Sequence, residues 1–320
     1  MKITILGTGA YGIALATVLH SNKHKVEMWT KFQEEVDSIL LNRENKRLLP
    51  GVIIPENINI SSNMEQCTKN SDIIVMAVPM NAVREVSKEL SNYLNEKQII
   101  CIVTKGIEMH TGKRMSEVVS EETCSNNICM LSGPSFAMEM ANMCKLGLVA
   151  ASRNIDICYV VEKVFENKNI SIDITEDIAG IEILASAKNI FAIIMGMLEG
   201  ESDSTRATMI TKLLNDLRLI CEVLGGKVNS VFTYAGLGDF LLTCMNLKSR
   251  NYTFGSLIAK GNTKEKAFEL MGITTVEGLY SLDSIYTLLE DRKVNVKSIE
   301  ILHNILYNNG PKEDILQCLK

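Results

Sequence analysis

The sequence lacks the features that mark a metalloprotein, a disulfide-stabilised protein or a membrane protein. It has only four histidines, which are scattered, and nine cysteines, an odd number without a paired C-x-x-C motif. These counts favour reduced thiols in a cytoplasm over a disulfide framework or a zinc site. The longest apolar run, 190–198, is too short to span a bilayer. We therefore expect a cytoplasmic protein with no metal and no stable membrane insertion.

The chain also lacks an excess of positive charge and any repetitive sequence. Its net charge of −5 argues against broad binding to nucleic acid or a membrane surface, although a local basic pocket for a phosphorylated metabolite stays possible. No internal repeat, low-complexity tract or flexible linker interrupts it. With 320 residues, of which 46% are hydrophobic, the chain can bury a substantial core and is expected to form two domains.

A glycine-rich motif lies near the amino terminus. The run 2–6 is typical of a strand, and Gly7, Gly9 and Gly12 follow it with G-x-G-x-x-G spacing before the apolar run 13–19. Gly7 permits a tight turn, Gly9 leaves room for a pyrophosphate, and Gly12 lets a helix pack on the strand. A signal peptide is the alternative, but three glycines break its would-be apolar segment. The motif predicts a dinucleotide site.

Further strands follow at the spacing that a βαβ unit needs, and the pattern then changes. Helical patterns dominate from Asp177 onward, with no further strand. We predict an α/β fold: a doubly wound Rossmann-type domain over 1–176, followed by an all-helical domain over 177–320, with a cleft between them. The predicted later strands are 25–29, 72–78, 98–103, 127–131, 146–151 and 170–174, and the predicted helices of the second domain are 181–198, 204–223, 237–244, 263–270, 276–289 and 296–306.

Two lysines follow predicted strands at the edge where a dinucleotide would bind. Lys31 ends the second strand, where this fold reads the adenosine ribose through an acid for a free 2′-hydroxyl or a cation for a 2′-phosphate. Because Glu27 lies inside the strand, the pattern favours NADPH over NADH, with a solvated surface lysine as the alternative. Lys105 follows the strand 98–103, and an ordinary loop lysine is equally compatible with its position. Small and hydroxyl residues over 132–137 suit a loop that closes over a ligand.

The helical half holds a candidate acid for catalysis. Lys188 lies within the apolar helix 181–198, where burial would lower its pKa and make it a usable proton donor near neutrality. A lysine that snorkels to the helix end is the alternative. Asp239 could orient this lysine or simply cap a helix. Arg250 and Asn251 could grip an oxyanion or lie in a surface loop.

These pieces together resemble the NAD(P)-dependent glycerol-3-phosphate dehydrogenase family, bacterial and cytosolic type, over essentially the whole chain. Each piece is weakly specific, whereas their common order and spacing are hard to obtain otherwise. The matching pieces are Gly7 to Gly12, Trp29 with Lys31, Leu49-Pro50-Gly51, Ala77-Val78-Pro79, Lys105-Gly106-Ile107-Glu108, Ser132 to Ala137, Ala187-Lys188-Asn189, Ala235 to Asp239, Thr243-Cys244, Ser249-Arg250-Asn251, Phe254-Gly255 and Val276-Glu277-Gly278.

The resemblance implies reversible reduction of dihydroxyacetone phosphate to sn-glycerol 3-phosphate with NAD or NADP, as a homodimer that feeds glycerophospholipid synthesis. It makes Lys188 the proton donor and acceptor at the C2 oxygen, with Asp239 and Lys105 around it. By position it implies substrate contacts at Lys105, Gly133, Ser135, Lys188, Asp239, Ser249, Arg250 and Asn251. It implies cofactor contacts at Gly7, Gly9, Ala10, Tyr11, Gly12, Lys31, Lys105, Ala137, Arg250, Thr275 and Glu277.

Several residues depart from the family pattern. Lys212 matters most among them, because a lysine where arginine is usual loses a bidentate grip on phosphate. A related reductase of 2-ketopantoate or a 3-hydroxy acid therefore stays open, and so does a non-catalytic NADPH-binding sensor. The other departures are Tyr11 for tryptophan, Ala185-Ser186 for glycine-containing residues, Cys144 for proline and Ser204 for asparagine.

Overall fold

The computed structural model describes residues 1–319 and divides the chain into two compact units. The first unit comprises Met1–Thr104 and Met115–Ile178. The second comprises Lys105–Arg114 and the chain from Ala179 onward. The short segment Lys105–Arg114 thus belongs with the helical unit, although it follows a strand of the first.

The first unit is built on one eight-stranded sheet with the order β3-β2-β1-β4-β5-β6-β7-β8. All neighbouring strands pair in parallel except β6 and β7, which are antiparallel. The order reverses between β1 and β4, and in such sheets ligands bind beyond the carboxyl ends of the strands at this point. The strands are β1 Lys2–Leu6, β2 Lys25–Trp29, β3 Asn59–Ser61, β4 Ile73–Met76, β5 Ile99–Ile102, β6 Ile128–Ser132, β7 Leu146–Ala151 and β8 Ile170–Thr175.

Seven helices belong to the first unit. Because helices cover both faces of a doubly wound sheet, its central strands are almost continuously apolar, and β1 and β4 are buried nearly throughout. The helices are α1 Ala10–Ser21, α2 Gln33–Asn42, α3 Met64–Thr68, α4 Val83–Leu90, α5 Met115–Thr123, α6 Ala137–Ala141 and α7 Ile155–Phe165.

The chain after β8 is helical over the residues that the structure describes. The helices are α8 Ile178–Met197, α9 Asp203–Val223, α10 Asp239–Cys244, α11 Arg250–Ala259, α12 Lys264–Met271, α13 Glu277–Asp291 and α14 Lys297–Tyr307. A 3-10 segment at Val228–Phe232 and a π-helical turn at Tyr234–Gly238 connect α9 to α10, and a further 3-10 segment, Lys312–Leu319, follows α14.

Helix α8 is the centre of the second unit. It is long and apolar enough to cross a membrane by length and composition, yet 94% of its most apolar window is buried inside the protein. Two glycines let α8 and α11 touch backbone to backbone: a Cβ at Gly196 would collide with the Tyr252 carbonyl, and one at Gly255 with the Ile193 carbonyl. The close crossing brings the polar residues of both helices together.

The predicted fold class is confirmed, and the differences from the sequence reading are local. The three-residue strand β3 was not predicted, because so short an edge strand leaves little periodicity. The pattern also missed α11, which starts where Ser249 accepts a hydrogen bond from the Tyr252 amide. The surface-loop reading of Asn251 is therefore wrong, since this residue lies buried in the first turn of α11.

Candidate functional site

The glycine turn between β1 and α1 contains two glycines that close packing requires, Gly7 and Gly12, and one, Gly9, that lies beside open space. A Cβ at Gly7, where φ is +118°, would lie 2.6 Å from the Ala77 carbonyl oxygen, and a Cβ at Gly12 would collide with the Gly7 carbonyl. A Cβ at Gly9 would meet no heavy atom within 4 Å. No side chain caps α1 at Gly9. Open space before uncapped helix amides fits a pyrophosphate.

Two other predicted site residues meet beside this turn. The Tyr11 hydroxyl lies 2.9 Å from Ser135 Oγ. The predicted cofactor positions Ala10 and Ala137 begin α1 and α6, and both pack against the core of the first unit. Gly133 meets a packing requirement, because a Cβ there would lie 2.6 Å from the Gly147 carbonyl oxygen of β7.

Lys31, two residues beyond β2, is exposed and forms an ion pair with Glu85 of α4. Hydrogen bonding and the charge of Glu85 raise the pKa of this lysine. Sequence reasoning missed a second acid nearby, Glu35, which accepts a 2.6 Å hydrogen bond from Thr30 Oγ1. Its place in the first turn of α2, five residues after Thr30, was the available signal.

In the second unit, three predicted catalytic residues lie together. Lys188 of α8 is 5% exposed, and its Nζ lies 2.5 Å from Asp239 Oδ1. Lys105 Nζ lies 2.7 Å from the other carboxylate oxygen of Asp239. Gly238, not Asp239, is the cap residue of α10, so the carboxylate holds two ammonium groups and caps no helix.

This arrangement shifts both ionisable groups of the buried pair. Burial lowers the pKa of Lys188 to about 8, an effect that Asp239 opposes and Lys105 reinforces. Burial by itself would raise the pKa of Asp239, but the two ammonium groups outweigh it and hold the pKa below its usual range. The carboxylate therefore stays ionised while Lys188 can lose or gain a proton near neutrality.

Thr243 completes this cluster and was not predicted as a site residue. Lys188 Nζ donates to Thr243 Oγ1 at 2.9 Å, and the threonine hydroxyl donates to the Asp239 carbonyl at 2.7 Å. The spacing of four residues between Asp239 and Thr243 places both on one helix face, which is the signal that could have identified it. The threonine thus fixes the direction of the ammonium.

A second group of polar residues begins at Asn189, the residue after Lys188. Asn251 Nδ2 donates to Asn189 Oδ1 at 3.1 Å, while Asn251 Oδ1 accepts from the Gly278 amide at 2.9 Å. Glu277 links the group to Arg250, whose Nη2 lies 3.3 Å from Glu277 Oε1. The structure therefore brings Arg250, Asn251 and Glu277 together next to the buried lysine.

The remaining predicted residues lie at the margins of this group. Ser249 caps α11, and the half-buried Thr275 donates a weak 3.4 Å hydrogen bond to the Val276 carbonyl just before α13. Lys212 lies on α9 and forms an ion pair with Asp216 at 2.5 Å. Asp216 also accepts from Ser298, so Lys212, the departure that matters most for phosphate recognition, has a structural partner of its own.

Fold and site together define a Rossmann-type dehydrogenase in which a buried lysine is the candidate acid. The comparisons with known proteins specify it further. The model of the NAD-dependent glycerol-3-phosphate dehydrogenase N-terminus matches residues 2–158, and the model of the C-terminus of the same family matches residues 177–317. The chain belongs to the NAD-dependent glycerol-3-phosphate dehydrogenase family.

Individual relatives agree with this family over nearly full length. A glycerol-3-phosphate dehydrogenase [NAD(P)+] of Thermoanaerobacter sp. (strain X514) is 36% identical, covering 100% of this chain and 97% of the relative. One from Fusobacterium nucleatum is 33% identical, covering 97% and 93%. The crystal structure of glycerol-3-phosphate dehydrogenase from Coxiella burnetii superimposes with a TM-score of 0.92 at 30% identity, covering 99% and 97%.

The expected family and the expected class of enzyme, an NAD(P)-dependent oxidoreductase, are thus confirmed. A nicotinamide dinucleotide as cofactor is confirmed with them. The preference for NADPH over NADH, which rested on Lys31, stays a prediction. The role of each individual residue stays a prediction. Among residues 1–319, no group of three or more histidine, cysteine, aspartate or glutamate side chains is arranged to hold a metal ion.

Proposed function

We propose that this chain reversibly reduces dihydroxyacetone phosphate to sn-glycerol 3-phosphate. The observation that carries the proposal is the cluster of Lys105, Lys188 and Asp239, in which one buried carboxylate holds two ammonium groups. Relatives covering nearly the whole chain bear the name of this activity.

The cofactor supplies the hydride when it is bound at the glycine turn. Hydride addition to a carbonyl carbon leaves negative charge on its oxygen, and the Lys188 ammonium stabilises and then protonates that oxygen. Asp239 keeps the ammonium in place, and Thr243 accepts one of its three N–H bonds. A general acid of this kind contributes about 10²–10⁴-fold to the rate.

Arg250 is the proposed phosphate ligand. Its guanidinium is exposed and contacts Glu277 through Nη2, and a guanidinium has five N–H donors in a planar fork that suits phosphate. Asn251 is held by Asn189 and the Gly278 amide, so α11 is fixed where Arg250 begins it. A clamp on the phosphate would hold the carbonyl in a reactive orientation.

We further propose the cellular setting that the resemblance implies. Residues 1–176 serve as the cofactor domain and residues 177–320 as the substrate domain. Lys105, although it falls within the first range, takes part in the substrate chemistry. The protein acts in the cytoplasm as a homodimer and feeds glycerophospholipid synthesis. Gly133, Ser135 and Ser249 would line the substrate, and Ala10, Tyr11, Ala137 and Thr275 the cofactor.

Steady-state kinetics test the proposal. Oxidation of NADH and of NADPH is followed with dihydroxyacetone phosphate and, in parallel, with 2-ketopantoate. We expect kcat/KM for the phosphorylated ketone to exceed that for the keto acid by at least about tenfold, because Arg250 recognises phosphate. Preference for 2-ketopantoate would favour the related reductase, and no oxidation with any phosphorylated ketone would favour the non-catalytic sensor.

A further inference from the structure

Lys31, the cation predicted to contact the adenosine ribose, forms an ion pair with an acidic side chain. Lys31 follows β2, the strand whose end faces the adenosine ribose in this fold. Its ammonium forms an ion pair with Glu85, which projects from the exposed side of α4. Glu89, one turn further along α4, adds a smaller negative influence on the same lysine. Two carboxylates of α4 therefore act on the Lys31 ammonium.

A third carboxylate, that of Glu35, lies beside the end of β2. Glu35 accepts from Thr30, the residue before Lys31, and its other oxygen lies 3.4 Å from Asn45 Nδ2. Asn45 also donates to the Thr8 carbonyl inside the glycine turn at 3.2 Å. Glu35 is thus anchored between the end of β2 and the phosphate-binding turn. An acid in this region is the group that hydrogen-bonds a free ribose hydroxyl.

Two guanidinium groups of the first unit bind other partners. Arg84, the neighbour of Glu85 on α4, pairs with Glu122 and, at 3.1 Å, with Glu121. Arg43 donates to the carbonyls of Pro55 and Ile58. A 2′-phosphate carries between one and two negative charges and accepts hydrogen bonds only, so it would compete with Glu85 for Lys31 and face like charge. A 2′-hydroxyl is neutral and can donate to a carboxylate.

We propose that Glu85 is a specificity-determining residue that weakens binding of the NADPH 2′-phosphate at Lys31 and thereby shifts cofactor use toward NADH. The inference rests on the proposed cofactor site at the glycine turn. It runs against the sequence-based preference for NADPH, which rested on the position of Lys31 and on Glu27 lying inside the strand. Since an ion pair between exposed side chains contributes little to stability, replacement of Glu85 leaves the fold intact.

Binding of two nucleotide fragments tests this role without turnover. Titration calorimetry compares 2′,5′-ADP, which carries the extra phosphate, with 5′-AMP, which does not, for the unchanged protein and for Glu85→Gln. We expect the substitution to tighten 2′,5′-ADP binding about threefold to tenfold, the size of one screened charge interaction, and to leave 5′-AMP binding unchanged. The gain shrinks at high salt, since the charges are exposed.

Two further variants complete the test. Glu300→Gln removes the same charge from α14 in the other unit and is expected to change neither affinity. Adding Lys31→Ala to Glu85→Gln is expected to abolish the gain. Equal effects on both fragments, or no effect of Glu85→Gln, would overturn the proposal. Because neither fragment reacts, the binding results test the role of Glu85 whether or not dihydroxyacetone phosphate is the substrate.

Discussion

Lys188 is almost fully buried, and its ammonium is hydrogen-bonded to Asp239 and Thr243. Burial of an ammonium without partners is costly, so lysines are seldom enclosed unless paired. Here Asp239 supplies the compensating charge, and Lys105 forms an ion pair with the other oxygen of the same carboxylate. The net result is a pKa of about 8 for Lys188, within reach of physiological pH.

This pKa predicts opposite pH dependences for the two reaction directions. Ketone reduction needs protonated Lys188, so kcat/KM, which reports the ionisation of the free enzyme, is constant at low pH and falls as pH rises through about 8. Alcohol oxidation needs the neutral amine and rises through the same region. Profiles of kcat/KM for both directions check the prediction, and parallel profiles without a break near pH 8 would contradict it.

The charges beside Lys188 determine in which direction the break in its pH profile shifts when one of them is removed. Asp239→Asn removes the carboxylate that raises the pKa of Lys188, so the break is expected at lower pH. Lys105→Gln removes the ammonium that lowers the pKa, so the break is expected at higher pH. Both profiles are measured on the residual activity. Shifts of the same sign in the two variants would show that charge does not set the pKa.

At the scale of the element, the glycines of the β1–α1 turn differ in what they do. Gly9→Ala places a methyl group in open space at φ −68°, which alanine adopts readily, so the melting temperature should stay nearly unchanged while nucleotide affinity falls. Gly12→Ala collides with the Gly7 carbonyl and should destabilise the protein. Thermal unfolding and nucleotide titration separate the two. Equal stability losses would refute the distinction.

The crossing of α8 and α11 is the second element on which the site depends. Gly255→Ala would force apart the backbones at Ile193, which costs about 1–3 kcal/mol of unfolding free energy. Because the crossing sets the contact between Asn189 and Asn251, KM for the substrate should rise as well. Denaturant unfolding and kinetics measure both effects. An unchanged KM would show that Arg250 is positioned independently of this crossing.

Most of the fold and part of the candidate site could be predicted from the sequence, because the patterns that indicate them are local. The strands are continuous apolar runs, and the glycine turn has fixed spacing. Lys188 stands out because a charge interrupts an otherwise apolar helix. By contrast, the partners of Lys31 and the role of Thr243 depend on contacts between segments distant in sequence: Glu85 is 54 residues from Lys31, and Thr243 is 55 residues from Lys188. Such contacts leave no periodicity to read.

For the whole molecule, the glycine turn proposed to hold the pyrophosphate and the lysine proposed to transfer the proton belong to different units. Reduced nucleotide at about a hundred times its Kd should therefore raise the unfolding free energy by about 2.7 kcal/mol. Lys188→Ala should show the same increment, since the glycine turn belongs to the first unit and Lys188 to the second. Denaturant titrations with and without nucleotide measure it. Loss of the increment in the variant would place Lys188 in cofactor binding.

The most direct measurement of the central claim is turnover of dihydroxyacetone phosphate by Lys188→Ala, beside a nucleotide titration of the same preparation. Removal of the proton donor should lower kcat by about 10²–10⁴-fold while the affinity for reduced nucleotide stays unchanged. Undiminished turnover in a variant that binds nucleotide normally would contradict the account, because it would remove Lys188 from the chemistry.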